Sequence, residues 1–284
     1  MHAGFIGLGV LGKAIARRLL AQGVELKVWN RTVQKAEDLG VEIAKSPADL
    51  ISRVPVVILN LFDSDAVSTV LEGNDRLLRG DCQGKLIVDT TTNHFQQAAR
   101  FHELAASRGC QYIEAPVLGS VLPASQGALC ILVSGKASAY ETALPYLQKM
   151  GKEIFFLEEH GLATKMKLVN NLVLGNFMAT IAEAVVMGEK IGLEKETVMY
   201  ILASGAGNSG VLSAKRQKLL TEDFSAHFSA ALIYKDLHYL QDLAMESKRP
   251  LFTPAMTKEL YAMMFSKNMD KLDFSAVYRL LKEI

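Results

Sequence analysis

Short apolar runs recur through the first 160 residues, at 3–6, 24–29, 56–60, 85–89, 111–115, 128–134 and 153–156, with amphipathic stretches between several of them. The runs are too short for helices and apolar on successive positions, the pattern of strands buried on both faces. The intervening segments 10–22, 63–71, 93–107 and 138–150 carry helical spacing. Strand and helix in alternation predict an α/β fold, one doubly wound and mostly parallel sheet occupying residues 1–160. From Gly161 onward the strand signal disappears, and helical patterns follow at 162–192, 195–203, 211–220, 230–247, 253–266 and 274–283. Residues 161–284 therefore read as an all-helical second domain. No Pro/Gly/Ser-rich linker separates the halves, so the long helix itself is expected to join them, with the cleft between domains as the default site.

The first run ends in a glycine turn, and its context gives it meaning. Gly7, Gly9 and Gly12, with Leu8, Val10 and Leu11 between them, form a GxGxxG sequence placed after a strand and before a helix. In a dinucleotide fold the first glycine makes the tight turn, the second lets backbone approach a pyrophosphate, and the third lets the helix pack closely. The free N–H groups at the helix start then face the anion. The second run delivers Asn30, Arg31 and Thr32 to the position where such a fold places the adenosine ribose. An acid there would accept from a 2′-hydroxyl and repel a 2′-phosphate, and this chain has none. Arg31 offers a planar fork suited to phosphate oxygens and Thr32 a hydroxyl, so the expected cofactor is NADP rather than NAD. The alternative is an Arg31 that is a solvated surface residue at a helix start.

Composition narrows the partners. The 284 residues are 50% hydrophobic with a formal net charge of +1 and no basic block, which argues against nucleic acid. Cys82, Cys110 and Cys130 are scattered, without metal-ligand spacing, and read as reduced thiols. The apolar stretch 168–187 is interrupted by Asn170, Asn171, Asn176 and Glu183, so a buried helix is expected rather than a membrane span. The first strand begins almost at Met1, leaving no signal peptide in this reading and pointing to a cytoplasmic protein. His94, His160, His227 and His238 share no motif and read as surface or satisfied core groups. The segment 205–210, with Asn208 and Ser209, is either a turn between helices or part of a pocket wall.

Candidate chemistry lies near the start of the long helix. Lys167 and Asn171 stand one turn apart on one helical face. A lysine with an amide one turn on suits carbonyl reduction: as hydride reaches the carbon, an ammonium can stabilise the oxygen and hand over a proton. Spacing alone equally allows a surface lysine and an ordinary helix asparagine.

Taken in order, the motifs resemble those of the β-hydroxyacid dehydrogenases, the family of 3-hydroxyisobutyrate dehydrogenase and glyoxylate/succinic semialdehyde reductase. The glycine turn is similar to the family's opening, with Leu11 where a methionine is usual, and Asn30-Arg31-Thr32 resembles its NADP-preferring branch. Asp89-Thr90-Thr91-Thr92 resembles the Asp-x-Ser-Thr loop. Ala115-Pro116-Val117-Leu118-Gly119-Ser120 resembles the Ala-Pro-Val-Ser-Gly substrate loop. The stretch from Gly161 to Asn171 is similar to the segment bearing the catalytic lysine, and Lys235-Asp236-Leu237 to a motif of the helical domain. The resemblance implies Lys167 as general acid/base with Asn171 as its orienter. It implies Thr92 and Lys235 as cofactor contacts, and Thr91, Leu118, Gly119, Ser120 and Asp236 about a small-molecule substrate. It also implies a homodimer or homotetramer. Three departures stand out: Leu118 replaces the loop serine, Thr91 replaces a serine but keeps the hydroxyl, and Ala163 replaces a glycine. None touches hydride transfer; Leu118 shifts substrate binding toward Gly119 and Ser120. The expected activity is NADPH-dependent interconversion of a short semialdehyde or 2-oxo acid with its hydroxy acid. The rivals are an imine reductase-like enzyme, against which Lys167 argues, and a non-catalytic NADP-binding scaffold.

Overall fold

The computed structural model describes residues 1–73 and 75–284 of the chain, which divides into two compact units, Met1–Lys167 and Leu168–Ile284. The division falls inside the long helix.

Among the described residues of the first unit, strands β1 (His2–Ile6), β2 (Glu25–Trp29), β3 (Glu42–Ile43), β4 (Val56–Leu59), β5 (Leu86–Asp89) and β6 (Gln111–Glu114) form one sheet. Its order is β3-β2-β1-β4-β5-β6, and every pairing is parallel. The helices between them are α1 (Val10–Ala21), α2 (Pro47–Ser52), α3 (Ser64–Leu71) and α4 (Phe95–Ala106). Alternation along β1 shows why the runs are apolar on both faces. Ala3 and Phe5 pack with Ile15 and Leu19 of α1 on one side, while Ile6 packs with Leu50, Val67 and Phe101 on the other. Helix starts are written into the sequence: Ser46 accepts from Asp49 N at 3.1 Å with Pro47 opening α2, and Asp63 accepts from Ala66 N at 2.8 Å to open α3. Trp29 packs partly buried against the second core.

The later strands depart from the expectation of a single sheet. After β6 the chain turns through Ala115-Pro116 into the short strand β7 (Val117–Leu118), then α5 (Val121–Gln126), β8 (Leu129–Val133), α6 (Ala137–Met150) and β9 (Gly151–Phe156). Strands β7, β8 and β9 make a separate sheet in which β7 runs antiparallel to β8 and β8 parallel to β9. The two sheets meet at one isolated bridge, Glu114 to Ser134, whose backbone N–H groups each donate to the other's carbonyl at 3.0 Å. A proline just past Glu114 has no N–H to continue the ladder, so the first sheet ends there.

Helix α7 (Leu162–Lys190) begins in the first unit and continues into the second, which also holds α8 (Lys195–Ser204), α9 (Gly210–Thr221), α10 (Ala230–Glu246), α11 (Thr253–Ser266) and α12 (Val277–Glu283). By length and composition α7 could cross a bilayer, yet one face is packed within the protein. Within the second unit Gly175 lies against Ile233 and Leu237 of α10, Gly188 meets Val198 of α8, and Asn176 bonds Thr253 and Thr257. Leu162, Met166, Val169, Val173 and Phe177 line its exposed side. Ser209 accepts from Leu212 N at 3.1 Å and so caps α9, which gives the 205–210 segment a turn's function.

Candidate active site

The glycine turn joins β1 to α1, and each glycine stands there for a different reason. Gly7 has φ +101°, and a Cβ on it would lie 2.1 Å from the Asn60 carbonyl oxygen. A Cβ on Gly12 would lie 2.0 Å from the Gly7 carbonyl oxygen, so the third glycine lets the helix close on the turn itself. Gly9 is the cap of α1, and a Cβ there would meet nothing within 4 Å. Its neighbours offer no side-chain cap and no acid in the first turn. The N–H groups of a first helical turn have no partner within the helix, and they carry the positive end of the dipole. Such a cradle fits a pyrophosphate.

Asn30, at the end of β2, ties this turn to the next segment. Its Oδ1 accepts from Leu8 N at 2.8 Å and its Nδ2 donates to the Thr32 carbonyl at 2.7 Å. The Asn30 amide is thereby spent on shaping the loop, while Arg31 and Thr32 are exposed beside it. Lys13 and Arg17 of α1 are drawn to Asp38, at 2.8 and 2.5 Å.

The ends of β4 and β5 are stitched by hydroxyls. Thr90 Oγ1 donates to the Leu59 carbonyl at 2.6 Å and accepts from Asn60 Nδ2 at 2.9 Å; Thr91 Oγ1 accepts from Leu61 N at 3.0 Å. Asp89 lies beneath, accepting from Thr91 N, Asn93 Nδ2 and the Tyr112 hydroxyl at 2.9, 2.8 and 2.6 Å. Burial pushes the Asp89 carboxyl above its ordinary value against those bonds. Thr91 is thus buried and engaged with the β4 loop, whereas Thr92 is half-buried at the rim.

Beyond β6 the Leu118–Ser120 loop is held by the second sheet. Leu118 stands opposite Cys130 of β8, and Gly119 turns at φ +118° with Leu129 packed 2.9 Å from where a Cβ would be. Ser120 caps α5 with its backbone only; its hydroxyl is buried and makes no hydrogen bond among the described residues. Burial and the Glu153 carboxylate raise the Cys130 thiol, while the Lys167 ammonium pulls it the other way. That places Lys167, itself only 7% exposed, within electrostatic reach of the hairpin carrying Leu118.

What fixes the start of α7 was invisible as a motif. Glu114 Oε1 accepts from Gly161 N at 2.6 Å, and Oε2 accepts from Thr164 N at 3.2 Å and from the Thr164 hydroxyl at 2.5 Å. Ser134 Oγ, across the bridge, accepts from Ala163 N at 2.8 Å. His102 Nε2 contacts Glu114 Oε1 at 3.0 Å, and because a carboxylate only accepts, that nitrogen carries the proton. His160 is not isolated either: its ring stacks on His102 at 3.8 Å. Burial alone would raise Glu114, but the His102 and Thr164 hydrogen bonds hold it below the usual value. The one available signal was an acid closing a short strand, directly after Tyr112 and Ile113.

In the second unit Asn171 and Asp236 are both buried, with Asn171 Nδ2 donating to Asp236 Oδ2 at 2.6 Å. Lys235 Nζ pairs with Asp236 Oδ1 at 2.8 Å and lies 5.0 Å from the Tyr239 ring centroid. These three residues form one group there. Lys167 and Asn171 share a face of the continuous helix.

Residues 2–158 match the family described as the NAD binding domain of 6-phosphogluconate dehydrogenase. Residues 161–281 match the NAD-binding domain of NADP-dependent 3-hydroxyisobutyrate dehydrogenase. Glyoxylate/succinic semialdehyde reductase 1 of Arabidopsis thaliana is 31% identical over 99% of both chains. Cytokine-like nuclear factor N-PAC of Homo sapiens is 34% identical over 97% of this chain, which spans 50% of that relative's length. Among solved structures, Psf3 in complex with NADP+ and 2-OPP is 28% identical, with a TM-score of 0.92 over 98% of this chain and 99% of that one.

Proposed function

The chain belongs to the NAD(P)-dependent β-hydroxyacid dehydrogenase family, and on that footing we propose that it reduces a short semialdehyde or 2-oxo acid to its hydroxy acid with NADPH, using Lys167 as proton donor. The observation that carries the proposal is a buried lysine in the second turn of α7, whose charge acts on the Cys130 thiol of β8, in the unit that also presents the Gly9 cradle. A reduced nicotinamide dinucleotide held at that cradle by its pyrophosphate would supply the hydride.

The protein's own residues do the rest. The α1 N-terminus holds the pyrophosphate, and Arg31 with Thr32 takes the 2′-phosphate, for which no acid competes. Thr92, half-buried on the loop after β5, would contact the nicotinamide end, as the family resemblance implies. The Lys167 ammonium stabilises negative charge as it develops on the carbonyl oxygen and passes a proton to it. The Ser120 hydroxyl, buried and without a hydrogen bond among the described residues, and the Gly119 N–H receive the substrate's acid group in place of the hydroxyl lost at Leu118.

Mixing the protein with NADPH and a panel including glyoxylate and succinic semialdehyde tests the reading through NADPH absorbance. Lys167→Ala is expected to lose about 10²–10⁴-fold in turnover, the usual worth of a general acid, while NADPH affinity stays within a few-fold. Normal turnover in that variant refutes the lysine's role. A wild-type protein that binds NADPH but reduces no carbonyl in the panel favours the binding-scaffold reading, which the nuclear-factor relative keeps in view.

A further inference from the structure

Resting on the reading of Lys167 as proton donor, we infer that Glu114 is a positioning residue: its carboxylate fixes the first turn of α7 and thereby the place of the lysine. A carboxylate buried to 1% exposure at the end of a strand is costly, and a hydrophobic side chain would fill the site more cheaply. This one sits where it collects three donors from the opening of α7 and a fourth from His102.

The anchoring acts at a point that would otherwise pivot. Gly161 has φ +87° immediately ahead of the helix, a residue with wide conformational freedom at which the local backbone offers only the turn bond from Leu162 N to the Glu159 carbonyl at 3.2 Å. Glu114 and Ser134 hold Gly161, Ala163 and Thr164 N–H groups from the bridge where the two sheets join. Ala163, Thr164 and Lys167 lie on the buried face of the helix. Any rotation that frees the first pair carries the lysine with it.

The same buried set reaches the Thr92 loop. Asp89 stands beside Glu114 in the parallel register and holds Thr91 N; Tyr112 donates to Asp89, and its ring meets His102 edge-on at 4.9 Å. His102 in turn donates to Glu114 and is clamped by the His160 ring. Loop and lysine are thus referred to one frame, although they are far apart in sequence.

The test uses the full chain and the variants Glu114→Gln and Thr164→Val. Glutamine keeps the shape of Glu114 but replaces one of its two acceptor oxygens with a donor, so that either the Thr164 pair or the Gly161 N–H loses its acceptor. Hydrogen exchange of the free protein is expected to speed up by about tenfold or more at the amides of 161–165 while those of 178–185 stay protected. Turnover is expected to fall about 100-fold, the cost of misplacing a reacting group by about 1 Å, with the KM for NADPH unchanged. A solvent isotope effect on kcat should rise as proton transfer becomes limiting.

A residue that acts through Lys167 has nothing further to remove once the lysine is gone. Glu114→Gln is therefore expected to cost nothing more in a Lys167→Ala background. Thr164→Val, which removes a single donor, should show the same pattern at about a tenth of the size, and it carries the test should Glu114→Gln not fold. Unchanged exchange at 161–165, or an equal loss with and without the lysine, overturns the positioning role. Normal turnover by Lys167→Ala overturns the proposed reaction and this role together. A Lys167→Ala defect beside an unimpaired Glu114→Gln overturns the positioning role alone.

Discussion

Two helices begin in the first unit with opposite provision for their N-termini. Helix α1 opens on Gly9, with no side-chain cap, no acid in its first turn and open space where a Cβ would stand. Helix α7 opens on N–H groups already taken by the Glu114 carboxylate and the Ser134 hydroxyl. The dipole is the same at both ends, so its field does not decide which one receives a ligand. What decides is whether the protein has supplied its own anion. On the proposed reading α1 leaves the work to a diphosphate, whereas at α7 the chain does the work itself and gains a fixed helix on which to mount a lysine.

The sharpest way to separate these roles is to add one methyl group at each of two glycines in the α1 turn. Gly7→Ala forces a side chain onto φ +101° and against the Asn60 carbonyl, and is expected to cost about 3–5 kcal/mol of stability together with nucleotide binding. Gly9→Ala meets no protein atom, so its stability should stay within about 1 kcal/mol of wild type. Its NADPH affinity should nonetheless fall, because the methyl enters the space left for the phosphates. Thermal melts and NADPH fluorescence titration distinguish the two. Full NADPH affinity in a folded Gly9→Ala would show that α1 does not leave its start to a ligand.

Arg31 asks whether the ligand at that end carries a third phosphate. A charge-assisted pair to a 2′-phosphate is worth about 1.5–3 kcal/mol, so Arg31→Ala should weaken NADPH by about 10–100-fold and leave NADH within about twofold. Equal losses for both cofactors would reduce Arg31 to general electrostatics.

The contrast also explains what the sequence disclosed. The α1 end is built from contiguous residues: Gly7, Gly9, Gly12 and then Asn30 to Thr32 lie in one β-α-β stretch, so their spacing can be read directly. Even there Asn30 does something spacing does not reveal, since its amide holds Leu8 and Thr32. The α7 end is assembled from positions 102, 114, 134 and 160–164. No periodicity links them; they meet only because β6 and β8 join at the Glu114–Ser134 bridge. The same bridge accounts for the second sheet, which appeared in the chain as two more apolar runs, at 128–134 and 153–156. Pro116 and the two-residue strand β7 are too brief to signal a change of direction.

The smallest effect is one of slope, and it sets two neighbours against each other. Asp89 and Glu114 end adjacent strands in register, both buried, yet burial dominates at Asp89 and raises it, while donated hydrogen bonds dominate at Glu114 and lower it. A carboxyl lowered on folding stabilises the protein above its unfolded value, near 4.5 for Glu114, and that contribution disappears as the pH falls through the folded value. A raised one does the reverse. Asp89 favours the fold in acid, below its unfolded value near 3.8, and loses that advantage as the pH rises through its folded value. Urea unfolding followed from neutral pH into acid should therefore show the deficit of Glu114→Gln shrinking as the pH drops. The deficit of Asp89→Asn should grow, since the acid it replaces becomes progressively better suited to its burial. Parallel slopes for the two variants would mean that the hydrogen bonds from α7 do not hold Glu114 as a carboxylate. The first turn of α7 would then be no better provided than that of α1.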